Sequence, residues 1–172
     1  QIIAVGRLEY QKNYDFMIKV FKDIMLHNPK LKLVILGDGS KKTHLLNLIQ
    51  KLNLTKKINL VGHKDNLSYY YKNSDLLLMT SFYEGMPNVV LEAMSYGLPC
   101  LISNSFSKNI SFYENYSKQL VYQENNSNNL IEKINIYFNN ELLRSYLGKA
   151  SKHYISLHND KSIRSWKRLF NL

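Results

Sequence analysis

Short apolar runs alternate with longer amphipathic stretches as far as about residue 122, the pattern of parallel strands joined by helical crossovers. Strands are predicted over residues 2–5, 33–37, 58–61, 76–80, 100–103 and 120–122. Their apolar runs are nearly unbroken, as expected of strands covered on both faces. Helices are predicted over 14–27, 41–52, 67–73 and 89–96, the first with Phe16, Met17, Val20, Phe21 and Ile24 at helical spacing. Ser40 stands where it can cap the second helix, Pro29 follows the first, and Gly97 sits where a left-handed residue would close the fourth. The last fifty residues read as helices over 129–138, 141–157 and 163–170, with the asparagine cluster 125–128 as a turn. The expected fold class is α/β, a Rossmann-like, doubly wound, six-stranded parallel sheet with helices on both faces and a helical C-terminal tail. All 172 residues fit one domain.

Composition narrows this picture only a little. An apolar fraction of 45% and a charged fraction of 21% are those of an ordinary globular domain, and no apolar run approaches the roughly 20 residues that span a bilayer. The chain starts inside a strand, with no initiator methionine or signal peptide, and so reads as part of a longer polypeptide. The lone cysteine, Cys100, follows Pro99 in an apolar stretch and is expected to be a buried structural thiol in a reducing, cytoplasmic setting. The Asn-x-Ser/Thr sequons, such as Asn53-Leu54-Thr55, are read as accidents of an asparagine-rich chain. A formal charge of +10 favours anionic partners. The lysines are scattered, with no arginine-rich or RNP-like motif, so nucleic acid is not an expected partner. An anionic membrane surface and nucleoside diphosphates remain.

Three segments could carry chemistry. Gly6-Arg7-Leu8-Glu9-Tyr10-Gln11-Lys12-Asn13 follows the first strand, where open α/β sheets bind ligands. Arg7 offers a planar fork to phosphate oxygens and Lys12 a second cation, with Gly6 permitting close approach; a plain surface turn fits as well. Leu36-Gly37-Asp38-Gly39-Ser40 follows the second strand and is either a tight turn or a place where a ligand nears the backbone. Glu84-Gly85-Met86-Pro87-Asn88-Val89-Val90-Leu91-Glu92 opens the fourth helix. With Asn88 as its cap, the N–H groups of Gly85 and Met86 and of the first turn, together with the helix dipole, would welcome an anion. Glu92, one turn in, could accept two hydrogen bonds from a ribose diol. The two carboxylates would equally suit a hydrolase acid and base pair, or merely complement the dipole.

The order Gly-Arg-Leu-x-x-x-Lys, Gly-Asp-Gly, Val-Gly, Ser-Asp-Leu, Glu-Gly-x-Pro-x-x-x-x-Glu-Ala-Met and Gly-Leu-Pro resembles the C-terminal domain of the family-four retaining glycosyltransferases of GT-B architecture, over about residues 1–122. The resemblance implies one half of a GT-B fold and a nucleoside-diphosphate sugar donor, here a UDP-sugar. It implies that Arg7 and Lys12 bind the diphosphate and stabilise the leaving phosphate, that Glu84 meets sugar hydroxyls, and that the backbone from Gly85 through Met86 and Pro87 to Asn88 holds sugar and phosphate oxygens. Glu92 would bind the ribose, and the backbone near Lys64, after Gly62-His63, would read the base; His63 itself reads as an exposed loop residue. An absent N-terminal domain would supply the acceptor site, for a polysaccharide or lipid-linked glycan, and without it the chain would bind donor but not turn over. No metal or other cofactor is implied, and the sequence holds no Asp-x-Asp or His-Glu-x-x-His. Two departures stand out. Asn104-Ser105-Phe106-Ser107-Lys108-Asn109 lacks the glycines common after the fifth strand, a variant that hints at capsule or exopolysaccharide enzymes, and Lys108 lies there either beside the phosphates or on open surface. Asn13 stands where the family more often has glycine. In the tail, Tyr154, Trp166 and Phe170 could dock on the absent domain as exposed aromatics or pack within this one.

Overall fold

The computed structural model of the protein describes residues 1–85, 87–115 and 118–169, and the side chains of these apart from 114–115 and 158–169. In chain order its elements are β1 (Ile2–Val5), α1 (Tyr14–His27), β2 (Leu33–Leu36), α2 (Lys42–Lys51), β3 (Ile58–Gly62), α3 (Ser68–Lys72), β4 (Leu76–Met79), α4 (Asn88–Ser95), β5 (Cys100–Ser103), α5 (Ser111–Asn115), β6 (Val121–Tyr122), α6 (Ser127–Asn139) and α7 (Glu141–Leu169). The strands form one sheet in the order β3-β2-β1-β4-β5-β6, and every neighbouring pair is parallel. Every residue of β2, β4 and β5 is buried, which is why these runs lack polar alternation. Right-handed crossovers put α1 and α2 on one face and α4 on the other; accordingly α1 packs on α2 and α6, and α4 on α7.

This order fixes where a ligand can bind. From β1 the chain winds outward through β2 and β3, then returns to start again at β4 beside β1. The crossovers diverge there, and a crevice opens beyond the carboxyl ends of β1 and β4. The backbones beyond β1 and β2 nearly touch at that end: Gly6 N donates to Leu36 O at 3.0 Å and Gly37 N to Gly62 O at 2.9 Å. A Cβ on Gly37, whose φ is 141°, would lie 1.9 Å from Gly6 O.

Several expectations change. The tail is one helix of 29 residues instead of two, since nothing between residues 157 and 163 is proline or glycine and polar low-propensity residues alone do not stop a helix already begun. The asparagine turn is shorter than read: Asn126 caps α6 by accepting from Asn129 N at 3.0 Å, and residues 127–128 are already helical. Leu120 closes a short 3-10 turn ahead of β6. Tyr154 is buried at 8% exposure, with its hydroxyl 2.9 Å from Ser111 Oγ and its ring 5.4 Å from that of Phe112, so it packs within this domain. The side chain of Trp166 and all of Phe170 lie outside the described residues. Gly97 does take a left-handed φ of 77° after α4; there it meets Gly148 of α7, whose Cβ would come within 2.9 Å of Gly97 O. Cys100 is buried as expected, and burial pushes its thiol far up from the ordinary range.

Candidate functional site

The loops after β1, β2 and β4 are lashed together by main-chain and side-chain hydrogen bonds. Leu8 N donates to Asp38 O and Lys41 N to Leu8 O, both at 2.9 Å, so the Gly37-Asp38-Gly39 turn lies directly on the loop after β1. Ser40 does not cap α2, which has no side-chain cap. Its N–H and hydroxyl instead donate to the Glu9 carboxylate at 2.8 and 2.7 Å, and those two bonds hold that carboxyl below its ordinary range. On the other side Thr80 Oγ1 donates to Lys12 O at 3.0 Å and Asn13 O at 3.1 Å. Phe82 N donates to Gln11 O at 2.9 Å, and Gln11 Nε2 returns a bond to Tyr83 O at 2.8 Å. Asn13 has φ 51° and ψ 42°, the left-handed region that asparagine tolerates better than other side chains, which explains how it serves where glycine is common.

Within this frame Lys12 and Glu84, 72 positions apart, form an ion pair at 2.5 Å with side chains only 15% and 10% exposed. Buried Tyr14 lies against the pair and donates to Gly6 O at 3.3 Å; burial and the nearby Glu84 charge push its phenol up. A Cβ on Gly6 would meet Lys12 Cε at 2.9 Å, so a side chain there would have to shift the lysine. Arg7 is exposed and makes no hydrogen bond or ion pair among the described residues.

Two clefts adjoin here, sharing Val5, Gly6 and Arg7 as a common wall. One, of about 280 Å³, is completed by Leu36, Gly37, Asp38, His63, Lys64 and Leu67. The other, of about 300 Å³, is completed by Gln11, Lys12, Glu84, Pro87, Asn88 and Val89. Arg7 therefore stands between an outer chamber with a mainly apolar floor and an inner one holding the charged pair. A larger hollow of about 460 Å³ lies at the opposite end of the sheet, around Asn28, Asp75 and Arg144, away from the carboxyl ends of the strands where this fold binds ligands.

Most of the residues singled out in the sequence converge on these clefts. Gly6, Arg7, Lys12, Glu84, Pro87 and Asn88 line the inner one, while Lys64 lines the outer. Asn88 is not the cap of α4: it is the first helical residue, Pro87 takes the cap position, and among the described residues no side chain caps the helix. The open N-terminus of α4 therefore faces the inner cleft, where its dipole favours negative charge. Gly85 is exposed and Met86 lies outside the described residues. Glu92 is exposed one turn into α4 and lines neither cleft. It accepts from Tyr71 OH at 3.2 Å, and burial, then that carboxylate, push the Tyr71 phenol far up. Lys108 is exposed and also lines neither cleft. His63 is an exposed loop residue, 3.2 Å from Asp65 Oδ1.

Four supporting residues had no sequence signal strong enough to single them out: Gln11, Thr80, Tyr71 and Asn109, whose amide donates to Glu84 O at 2.7 Å and Gly85 O at 2.8 Å. Among the described residues no group of three or more His, Cys, Asp or Glu could hold a metal ion, and no helix is long and apolar enough to cross a membrane.

A family model for glycosyl transferases group 1 matches residues 1–154. The chain is 41% identical over 101 residues to the amylovoran biosynthesis glycosyltransferase AmsD of Erwinia amylovora, a match covering 59% of this chain and 28% of that protein. It is 39% identical over 108 residues to the UDP-Gal:alpha-D-GlcNAc-diphosphoundecaprenol alpha-1,3-galactosyltransferase of Escherichia coli, covering 61% and 27%. Its matches thus span little more than a quarter of these relatives' length. Among solved structures it superposes on a mutant of S. aureus TarM, crystallised with Fondaparinux, alpha-GlcNAc-glycerol and UDP, with a TM-score of 0.86 at 24% identity over 99% of this chain and 35% of that one. The catalytic domain of the Helicobacter pylori cholesterol-alpha-glucosyltransferase gives 0.78 at 24% identity, over 91% of this chain and 98% of that one. A six-stranded parallel sheet with its loops lashed around a charged crevice, and a family match across nine-tenths of its length, agree: this chain belongs to the glycosyl transferases group 1 family.

Proposed function

We propose that this chain is the donor-binding half of a retaining glycosyltransferase that moves a hexosyl or N-acetylhexosaminyl group from a UDP-sugar to a growing polysaccharide or lipid-linked glycan. The observation that carries this reading is Arg7, unpaired among the described residues, on the wall between two clefts, with Lys12 and Glu84 in the inner one. The outer cleft takes the base, its edge meeting backbone near Lys64. The diphosphate bridges the wall, held by the Arg7 fork, by Lys12 and by the open N-terminus of α4. The sugar sits beside Glu84, and the ribose reaches Glu92. Fixed cations aimed at the leaving phosphate stabilise the charge that develops as the glycosidic bond breaks, so Arg7 and Lys12 take the place a metal would otherwise fill. The names of relatives and neighbours support a UDP donor and a glycan acceptor. A partner N-terminal domain would bring the acceptor, and the chain alone would not turn over. A formal charge of +10 would help the whole enzyme dock from the cytoplasm on an anionic membrane bearing a lipid-linked acceptor; failure of the full-length protein to sediment with anionic vesicles at low salt overturns that part.

Calorimetric titration tests the site directly. UDP should bind saturably, and Arg7→Ala should weaken it about tenfold or more, the worth of a charge-assisted phosphate contact. Glu92→Ala should weaken UDP but leave pyrophosphate, which has no ribose, unchanged. Equal affinity of parent and Arg7→Ala for UDP would sink the assignment of the diphosphate.

A further inference from the structure

The loop that precedes α4 is held from both sides by carboxamides. Gln11 Nε2 donates to Tyr83 O at 2.8 Å, and Asn109 Nδ2 donates to Glu84 O at 2.7 Å and Gly85 O at 2.8 Å. Three consecutive carbonyls are thus taken by two neutral donors, Gln11 from the loop after β1 binding one and Asn109 from the loop after β5 binding two. The choice of residue type is chemically restricted. A carbonyl oxygen only accepts, so the partner must donate, and a carboxylate in either place would set negative charge against the carbonyls. The amide must be neutral as well, since the same loop lines a cleft in which Lys12 already pairs with Glu84.

We propose that Gln11 and Asn109 are positioning residues of the donor site. By binding the carbonyls of Tyr83, Glu84 and Gly85 they keep three negative dipole ends away from the sugar diphosphate, and they fix the loop so that Glu84 stays at the inner cleft. This rests on the donor-site reading above, and it locates the purpose of the glycine-free loop after β5. Its 3-10 turn, Ser107–Asn109, presents Asn109 to the neighbouring loop, whereas Lys108 beside it faces open solvent. Neither carboxamide needs to touch the ligand.

The test compares the parent chain with Asn109→Asp and Gln11→Glu by calorimetry against UMP, UDP-galactose and UDP-N-acetylglucosamine, across pH 4.5 to 8. UMP has no β-phosphate or transferable sugar and so reports on the base, the ribose and the α-phosphate. At neutral pH, Asn109→Asp should bind the better of the two UDP-sugars about tenfold more weakly than the parent, with UMP affinity unchanged. The deficit, taken against the parent at the same pH, should shrink as the pH falls through the carboxyl range, because the introduced carboxyl regains one donor when it is protonated. Gln11→Glu should behave alike with a smaller loss, one bond being involved instead of two. Unchanged UDP-sugar affinity, an equal loss for UMP, or a deficit that does not respond to pH each overturns the positioning role. If the parent binds neither UMP nor UDP-sugar, the donor-site reading itself has failed and the proposal falls with it.

Discussion

Gly37→Ala is expected to lower the unfolding temperature by about 10 °C, from a loss of about 4 kcal/mol in a domain of this size, and to remove nucleotide binding. The reason is a backbone collision with no flexible side chain to absorb it. The new Cβ would stand 1.9 Å from Gly6 O and 2.9 Å from Gly6 C, so the two chain segments must part. They cannot part cheaply, because Gly6 N is bonded to Leu36 O and Gly37 N to Gly62 O. A φ of 141° adds strain for any residue with a Cβ. Separation would also displace Gly6 and Arg7, the wall common to both clefts. Gly62→Ala is the control: its φ of 85° is also left-handed, but a Cβ there meets nothing within 4 Å. It should cost only the conformational strain, about 1 kcal/mol, or about 3 °C. Calorimetric melting of both variants decides the matter, and a Gly37→Ala chain that melts with the parent disproves the close approach.

Lys12→Met should weaken UDP binding about 100-fold, whereas Glu84→Gln should strengthen it several-fold. The methionine keeps an apolar stem beside Gly6 and removes only the charge. It leaves Glu84 ionised, largely buried and unpaired next to the diphosphate, and breaking a buried pair from one side is costly, about 3–5 kcal/mol by analogy with other proteins. Part of that cost falls on folding and part on the ligand. Glu84→Gln works in the opposite direction. With no ligand the Lys12 ammonium is engaged by Glu84 at 2.5 Å, so a diphosphate must compete for it, and a neutral amide releases the cation. The same change deprives sugar hydroxyls of a carboxylate acceptor, so the preference for UDP-sugar over UDP should vanish even as UDP binds better. The double variant should fall between the two, and the cycle measures the coupling. If Glu84→Gln weakens UDP as much as Lys12→Met does, the pair is not in competition with the ligand.

The strands and the first four helices are legible in the sequence because burial on both faces leaves continuous apolar runs and helices keep their period. What lies beyond the sequence is pairing across distance. Lys12 and Glu84 each suggest a phosphate or sugar contact when taken singly, and nothing in the chain says that they neutralise one another. Ser40 and Asn88 have the right chemistry for caps. Ser40 is drawn instead to Glu9 across the turn, and α4 starts one residue earlier than a capping Asn88 would require. Asn109 is a single polar residue in an irregular loop, with no periodicity to mark it. Tyr154 is ambiguous because one aromatic on a helix is equally at home in a core or on a docking face, and its place depends on α5, a five-residue helix too short to show a pattern.

The contact of Gly97 with Gly148 bears on how freely the tail can vary. Where α7 crosses beyond α4, Gly97 and Gly148 let the two segments meet at main-chain atoms, a Cβ on Gly148 falling 2.9 Å from Gly97 O. That approach depends on the absence of a side chain at residue 148, not on the side chains α7 turns outward, Leu142, Tyr146 and Leu157 among them. That outer stripe is open to drift, and a lineage could re-specify what the tail meets without retuning the pocket beneath it.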